Sequence, residues 1–312
     1  MTEPRATIAV NLLGMRGIVR TVQDLLGETE VVVATDDDRA PDAEILAVFS
    51  PDREVVRRAV TPGVRWIHAL SAGVDGFPLD LATGRVFTCS RGASAVPIAE
   101  WTMAMLLAPA KRLPESWIVE PPQHWSRAEL ASLEGQTLGL VGIGAIGSEV
   151  ATRALAFSMD VVAIRRTDAP APQPDIELVT SFRELLERSD HLVLAAPGTA
   201  DTHHLVDAEA LASMRPDAHL VNIARGSLVD QDALIAGLDR GQLAAASLDA
   251  VEPDPLPAGH PLYSHPKVRL SPHIWWGSPR TLGQTLEMFV GNVRRYRDGE
   301  PLHGLVDMEA GY

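Results

Sequence analysis

The chain has 312 residues but only one cysteine, and its basic residues are outnumbered by acidic ones. The single thiol, Cys89, excludes an internal disulfide and a zinc site built from several cysteines. With 27 Lys and Arg against 41 Asp and Glu, the net charge of −14 argues against nucleic-acid and anionic-membrane partners, which require a basic face. No apolar run approaches the roughly 18 residues that span a bilayer, and the first ten residues lack the features of a signal peptide. We therefore expect a cytoplasmic protein with no nucleic-acid or membrane partner.

Short apolar runs alternate with segments of helical spacing along most of the chain, which predicts an α/β fold with parallel sheets. A first series of strands, without a phosphate-binding motif, is predicted at residues 7–12, 30–34, 45–49, 65–70 and 86–88. A second series, with the content of one full dinucleotide-binding domain, is predicted at residues 137–141, 161–164, 191–195, 219–223, 245–248 and 268–270. We predict a smaller domain of residues 1–96 and 280–312 and a doubly wound dinucleotide-binding domain of residues 97–279.

A long helix is predicted over residues 94–113, with Pro97 near its first turn, where a missing N–H costs little. Its apolar stripe consists of Ala99, Met103, Leu106, Leu107 and Ala110. Two interpretations stay open for the stripe: contact with a second copy of the chain, or packing inside it.

Residues 138–147, LGLVGIGAIG, contain the spacing G-x-G-x-x-G after an apolar run and before a segment of helical spacing. In this context Gly142 permits a tight turn, Gly144 lets the backbone approach a pyrophosphate, and Gly147 lets helix and strand pack closely. The N–H groups at the helix N-terminus then bind the anion. We predict dinucleotide contacts by Gly142, Gly144, Ala145, Ile146 and Gly147; the alternative is a plain glycine turn.

Two arginines follow the next predicted strand, where an NAD-selective domain would place a carboxylate on the ribose 2′-OH. The guanidinium groups of Arg165 and Arg166 suit a 2′-phosphate, because they can bind it in a bidentate manner. The alternatives are two solvated arginines on a loop and a ribose contact by the nearby Asp168. The sequence favours NADP as the cofactor over NAD.

A turn suited to backbone contact with the cofactor, and then several polar residues, follow the later strands of the second series, at the strand ends where open parallel sheets bind ligands. These positions are occupied by Ala196 and Pro197, then Ala224 and Arg225, then Asp249, Glu252 and Asp254, and finally His273. An arginine, carboxylates and a histidine at one predicted sheet edge indicate a catalytic site on the cofactor side.

In this order and spacing, the motifs resemble the D-2-hydroxyacid dehydrogenase family from about residue 71 to residue 273. The matching stretches are SAGVD at 71–75, GIGAIG at 142–147, APGTADT at 196–202, NIARG at 222–226, LDAV at 248–251, PLP at 255–257 and SPHI at 271–274. The arginine pair at 165–166 resembles the NADP-dependent glyoxylate/hydroxypyruvate reductase branch. The resemblance implies two Rossmann-like domains, the smaller one flavodoxin-like and substrate-binding, and a homodimer.

The resemblance also implies roles at the substrate site. Arg225 would hold the substrate carboxylate and polarise the 2-keto oxygen, and His273 would protonate that oxygen as hydride arrives from the nicotinamide. Backbone N–H groups of Ala72 and Gly73 would bind the carboxylate, with a plain turn as the alternative. Asp249 would accept from the nicotinamide carboxamide, with a loop cap as the alternative. Further cofactor contacts are implied at Ala196, Pro197, Thr202 and Ala224.

The carboxylate that orients the histidine in the family is usually Glu, directly before the PLP stretch, where this chain has Asp254. Its side chain is one methylene shorter and reaches about 1.5 Å less. We favour Asp254 as the partner of His273. The alternatives are a water that bridges Asp254 and His273, a weakened contact between these two side chains, or a contact of His273 with Glu252 instead.

Two tryptophans come directly after His273. Trp275 and Trp276 have two possible roles: they line the substrate pocket and exclude water, or they are core or subunit-contact residues. Of the two, we place Trp276 in the substrate pocket. His203 and His204 are interpreted as loop residues, and we predict no metal site, since hydride transfer needs none.

These features predict an NADP(H)-dependent oxidoreductase that reduces small 2-keto acids, such as glyoxylate or hydroxypyruvate, to D-2-hydroxy acids. Its catalytic residues would be Arg225, Asp254 and His273. The alternatives are an NAD-dependent D-2-hydroxyacid dehydrogenase and a dinucleotide-sensing protein similar to corepressors of this fold. Formate dehydrogenases, which the chain also resembles, have Gln where Asp254 stands, so a carboxylate there argues against formate oxidation.

Overall fold

The structure, a computed structural model, describes residues 8–11, 16–27, 31–34, 43–49, 52–121, 124–126 and 129–312. It divides into two compact units, Met1–Ser94 with Ser278–Tyr312 and Ala95–Gly277. Among the described helices, none is both long enough and apolar enough to cross a membrane. The separate tasks predicted for two domains, substrate binding and dinucleotide binding, stay a prediction.

The helices and strands alternate through most of the described chain. In chain order they are β1 Ile8–Asn11, α1 Arg16–Leu26, β2 Val31–Ala34, β3 Ile45–Val48, α2 Arg53–Ala59, β4 Trp66–Ala69, β5 Val86–Cys89, α3 Ala95–Ala110, β6 Thr137–Val141, α4 Ala145–Ala156, β7 Asp160–Ile164, β8 Ile176–Leu178, α5 Phe182–Arg188, β9 His191–Leu194, α6 Ala208–Ser213, β10 His219–Asn222, α7 Gln231–Arg240, β11 Ala245–Leu248, β12 Val268–Leu270 and α8 Thr281–Asp298.

The first unit is built on a five-stranded parallel sheet in the order β2-β1-β3-β4-β5. This is the flavodoxin-like strand order that the family resemblance implies. The C-terminal helix α8 belongs to this unit because its buried residues Leu286, Phe289, Val290 and Val293 share one face and pack in a cluster with Trp66.

A buried polar network joins β4 to β5 in the first unit. The Trp66 Nε1–H donates to Thr88 Oγ1 at 2.8 Å, and the ring nitrogens of His68 lie 2.7 Å from Thr88 Oγ1 and 3.0 Å from Ser90 Oγ. His68 has no exposed surface, and this burial lowers its pKa to about 3. The imidazole is therefore neutral over the physiological pH range.

The second unit is built on a seven-stranded parallel sheet in the order β12-β11-β10-β9-β6-β7-β8. The strand order reverses at β6, which lies between β7 and β9, so the sheet is doubly wound as predicted. The prediction of six strands was wrong by one, because it omitted β8. That strand has only three residues, of which Ile176 alone is buried, so it carries no readable alternation.

Helix α3 is shorter than predicted and ends at Ala110. Its apolar stripe, including Met103 and Leu106, packs with Leu138 and Val150 in a core cluster formed wholly by residues of the second unit. The stripe is therefore internal to that unit, and the homodimer prediction gains no support from it.

Candidate active site

The carboxyl ends of six adjacent strands of the second unit lie at one level of the sheet. Each strand's last residue stands opposite the last residue of its neighbour, in the order Ile164, Val141, Leu194, Asn222, Leu248, Leu270. Because all these strands are parallel, the chain leaves every one of them at the same edge. The segments that carry the glycine motif, the arginine pair, Arg225, Asp249 and His273 therefore share that edge.

The three glycines of the motif have three different environments. Gly142 has φ +93°, and a Cβ there would lie 2.9 Å from the Ala196 backbone nitrogen. A Cβ at Gly147 would lie 2.3 Å from the Gly142 carbonyl oxygen, so only glycine allows α4 to pack so closely. A Cβ at Gly144 would meet nothing within 4 Å. The open space at Gly144, at the N-terminus of α4, fits the pyrophosphate of a dinucleotide.

The arginine pair lies directly beside the glycine motif, since the Gly142 N–H donates to the Ile164 carbonyl at the end of β7. The Arg165 guanidinium folds over its own loop and donates to the carbonyls of Ala169 at 3.2 Å and Pro170 at 2.9 Å. Arg166 and Asp168 are exposed on the same loop. The two guanidinium groups are thus near the place where a ribose follows the pyrophosphate in this fold.

The loop after β9 contains three predicted cofactor contacts. Ala196 lies against Gly142, as the close approach at that glycine shows. The Thr202 hydroxyl donates to the Pro197 carbonyl at 2.7 Å and accepts from the Thr199 N–H at 2.8 Å. Thr202 therefore shapes this loop, and its contact with a cofactor stays a prediction.

Arg225 follows β10 and is held at the sheet edge by its neighbours. The buried Asn222 side chain donates to the Arg225 carbonyl at 2.8 Å and accepts from the Ala224 N–H at 3.0 Å, which fixes the turn. A Cβ at Gly198 would lie 3.1 Å from Arg225 Cγ, so glycine makes room for the arginine stem. The half-buried guanidinium is a fork-shaped donor suited to a carboxylate.

His273 forms a direct pair with Asp254. The distance from His273 Nδ1 to Asp254 Oδ2 is 2.5 Å, and both side chains are about two-fifths exposed, at 37% and 43%. The structure therefore pairs the histidine with Asp254 and not with Glu252, without a bridging water. Because Nδ1 faces the carboxylate, Nε2 is the ring nitrogen that can face a substrate.

The buried carboxylate of Asp249 holds the loop that carries His273. Its two oxygens accept from the N–H groups of Ile274 and Trp275, each at 3.1 Å, and from the Ser271 hydroxyl. Asp249 is only 1% exposed, so these bonds are sheltered from water. The structure gives Asp249 the loop-cap role, and its contact with a nicotinamide carboxamide stays a prediction.

The two tryptophans after His273 differ in environment. Trp275 is buried in the core of the second unit, so the core interpretation is correct for it. Trp276 is exposed, and its Nε1–H donates to the His273 carbonyl at 2.9 Å. Trp276 therefore braces the histidine from the side of solvent, and its contact with substrate stays a prediction.

Ala72 and Gly73 lie in the first unit, in the turn after β4. The Ser71 hydroxyl donates to the Gly73 carbonyl at 2.6 Å, and the Cys89 thiol lies 3.6 Å from the Ala72 carbonyl oxygen. These contacts hold the turn in place, and all of their residues belong to the first unit. The role of the two N–H groups in substrate binding stays a prediction.

A family model described as D-isomer specific 2-hydroxyacid dehydrogenase, NAD binding domain, matches residues 103–274, which is more than half of the chain. The chain belongs to this family. Family membership and the class of enzyme, an NAD(P)-dependent oxidoreductase, are thereby confirmed. The α/β fold with two Rossmann-like domains is confirmed by the two parallel sheets and by the similarity to solved structures of family proteins.

Two relatives and one solved structure show how similar this chain is to known members of the family. A glyoxylate reductase from Thermofilum pendens is 33% identical over 269 residues, covering 83% of this chain and 78% of that protein. A D-3-phosphoglycerate dehydrogenase from Methanocaldococcus jannaschii is 32% identical, and the chain spans 59% of its length. The crystal structure of a family protein from Aeromonas salmonicida is 26% identical, with a TM-score of 0.81, covering 98% of this chain and 100% of that one.

Sequence reasoning missed residues that shape the site. Asn222 stood in a quoted motif without a role, although a polar residue ending a buried strand is a readable signal. Sequence reasoning also did not bring together His203, His204 and Glu252, whose ligand atoms lie within 4.8 Å of one another, and the absence of a metal site stays a prediction. Since Glu252 lies on a different loop, no local pattern links it to the two histidines.

Proposed function

We propose that the chain reduces small 2-keto acids, such as glyoxylate or hydroxypyruvate, to D-2-hydroxy acids with NADPH. The observation that carries the proposal is the His273–Asp254 pair at the sheet edge that also bears the open glycine turn. A similar relative, from Thermofilum pendens, is a glyoxylate reductase. The bound coenzyme would supply the hydride.

The residues of the site would bind the substrate and transfer the proton. The Asp254 carboxylate accepts from Nδ1 and sets the ring orientation, so that Nε2 of His273 delivers the proton to the keto oxygen. Arg225 would bind the substrate carboxylate through two parallel hydrogen bonds and draw charge towards the developing alkoxide. Asp249 keeps the histidine loop in place during this proton transfer.

Substitution of Asp254 tests the proposed acid. Asp254→Asn keeps the size of the side chain but removes the charged acceptor, so kcat for keto-acid reduction is expected to fall on the order of 100-fold. Asp239→Asn is the matched control, because Asp239 also faces a histidine, His265, at 3.4 Å but follows no strand of the site. Equal kcat in Asp254→Asn and the parent chain would contradict the assignment.

The coenzyme preference rests on the arginine loop beside the glycine motif. Each charge-assisted hydrogen bond to a 2′-phosphate contributes about 1.5–3 kcal/mol. Loss of either guanidinium is therefore expected to lower the ratio of NADPH to NADH kcat/KM about tenfold or more, because about 1.4 kcal/mol is tenfold. The variants are Arg165→Ala and Arg166→Ala. Arg183→Ala, which removes a surface arginine paired with Glu187, is the control.

We further propose a homodimer. The support is an exposed apolar segment after α3, in which Trp117, Ile118, Val119 and Trp125 all face solvent in the isolated chain. Such a concentration of large apolar side chains is typical of a protein interface. Light scattering after gel filtration is expected to give twice the chain mass of 33.6 kDa, and Trp117→Ser with Trp125→Ser is expected to give the monomer.

A further inference from the structure

Two histidines and a glutamate lie together at the sheet edge of the second unit without a part in the proposed reduction. His203 and His204 follow the short 3₁₀ turn Ala200–Thr202 after β9, and Glu252 follows β11. Each side chain is exposed and offers one ligand atom, and these atoms lie within 4.8 Å of one another. The two imidazole rings stack, with centroids 4.0 Å apart and planes inclined by 25°.

The donor set selects the kind of ion. Imidazole nitrogens suit zinc, copper and nickel, whereas calcium and magnesium prefer oxygen ligands alone. Zinc binds such donors at about 2.0–2.2 Å, so tetrahedral ligand atoms lie about 3.3 Å apart. The present spacing of up to 4.8 Å therefore needs a closure of about 1.5 Å, which rotation of exposed side chains provides.

The backbones that carry the ligands are fixed to one another through the 3₁₀ turn Gly226–Leu228. The His204 N–H donates to the Ser227 carbonyl at 2.7 Å, and His204 is held at φ +50°, a conformation uncommon for residues other than glycine. On the other side, a Cβ at Gly226 would lie 2.0 Å from the Val251 carbonyl carbon, so this turn contacts the segment just before Glu252.

A second set of bonds fixes the glutamate itself. The Gln231 side chain donates to the Glu252 carbonyl and accepts from the Glu252 N–H at 3.4 Å. Gln231 thus binds both the carbonyl and the N–H of Glu252 and holds its backbone in place. Only the Glu252 side chain has to move towards the histidines. This arrangement pre-organises the three ligands through bonds to main-chain groups.

We propose that His203, His204 and Glu252 form a binding site for a divalent transition-metal ion of the zinc type, with further positions open to water. This site lies outside the proposed hydride-transfer chemistry. A bound ion would join the loop after β9 to the segment after β11, which also carries Asp254. Because the ion would bind the folded chain in preference to the unfolded one, it would raise the thermal midpoint of unfolding.

The test uses the full chain without an affinity tag, after treatment with chelator and in the absence of coenzyme and keto acid. Zinc chloride titrated into this protein is followed by calorimetry, and cobalt by its visible absorption. One equivalent per chain is expected to bind, with a rise in the unfolding midpoint. Since neither readout involves turnover, failure of this proposal and failure of the proposed reductase activity are distinguishable.

Matched variants locate the ion. His203→Ala, His204→Asn and Glu252→Gln are each expected to weaken zinc binding at least about tenfold, as loss of a ligand exceeds the effect of an outer-shell change. Asn tolerates the left-handed conformation at position 204, and Gln at 252 leaves the backbone bonds to Gln231 intact. His124→Ala, which removes an exposed histidine elsewhere, is expected to bind as the parent does. No binding by the parent, or undiminished binding by the His203→Ala, His204→Asn double variant, would overturn the proposal.

Discussion

The buried histidine of the first unit makes folding sensitive to acid. Burial lowers the folded-state pKa of His68 to about 3, below the ordinary value near 6.5 that applies in the unfolded chain. The unfolded chain therefore binds the proton first, and the stabilisation is fully present above about pH 6.5 and lost progressively as the pH falls towards about 3. Between about pH 7.5 and about pH 5, the contribution of this one residue to the free energy of unfolding falls by about 2 kcal/mol.

Replacement by a residue that does not titrate removes this part of the acid sensitivity. Gln at position 68 can bond to Thr88 and Ser90 through its amide, so His68→Gln is expected to fold. Urea unfolding of the variant and the parent is followed at both pH values by circular dichroism and by tryptophan fluorescence, to establish whether the two units unfold together. The parent is expected to lose about 2 kcal/mol more than the variant on acidification. An equal loss in both proteins would show that His68 does not carry this acid sensitivity. His124→Gln, at an exposed histidine, serves as the control.

Three further predictions follow from the surroundings of individual glycines and from the buried bonds of Asp249. Gly144→Ala is expected to cost only about 1 kcal/mol of the free energy of unfolding, the cost of a poorer N-cap for α4. It is expected to weaken coenzyme binding at least about tenfold, measured by fluorescence titration, and unchanged binding would contradict the pyrophosphate site. Asp249→Asn is expected to cost about 1–3 kcal/mol of stability and to lower kcat, whereas a residue that served the coenzyme alone would leave the unfolding curve unmoved. Gly226→Ala, whose Cβ would overlap the Val251 backbone, is expected to cost about 3 kcal/mol or more. Gly283→Ala in α8, where a Cβ meets nothing within 4 Å, is the control and is expected to be neutral or stabilising by up to about 1 kcal/mol. Equal midpoints of thermal unfolding for Gly226→Ala and Gly283→Ala would contradict the packing argument.

Much of the fold could be predicted because its signals are local. Each buried strand of the second unit, apart from β8, is a short apolar run bounded by loops, and the glycine spacing marks the position of β6 at the switch point. The sheet-edge placement of Arg225, Asp254 and His273 followed from the rule that parallel strands deliver their loops to one side. The pairing of His273 with Asp254, despite the shorter side chain, was also among the predictions.

The details that sequence reasoning missed depend on contacts between distant loops. For Asp249 the sequence left a coenzyme contact and a loop cap both open, because its spacing does not reveal that the N–H groups of Ile274 and Trp275 turn back towards it. The apolar stripe of α3 carries the same pattern whether it faces a core or a partner. Likewise, Glu252 reaches His204 only through the fold of the intervening strands.

Loss of reduced-nicotinamide absorbance with glyoxylate, hydroxypyruvate and pyruvate, each with NADPH and with NADH, tests the proposed reduction of keto acids. Turnover of glyoxylate or hydroxypyruvate is expected, with kcat/KM for NADPH well above that for NADH. Turnover that prefers NADH would contradict the argument from Arg165 and Arg166, and no turnover with any pair, despite measurable coenzyme binding, would contradict the proposed reductase.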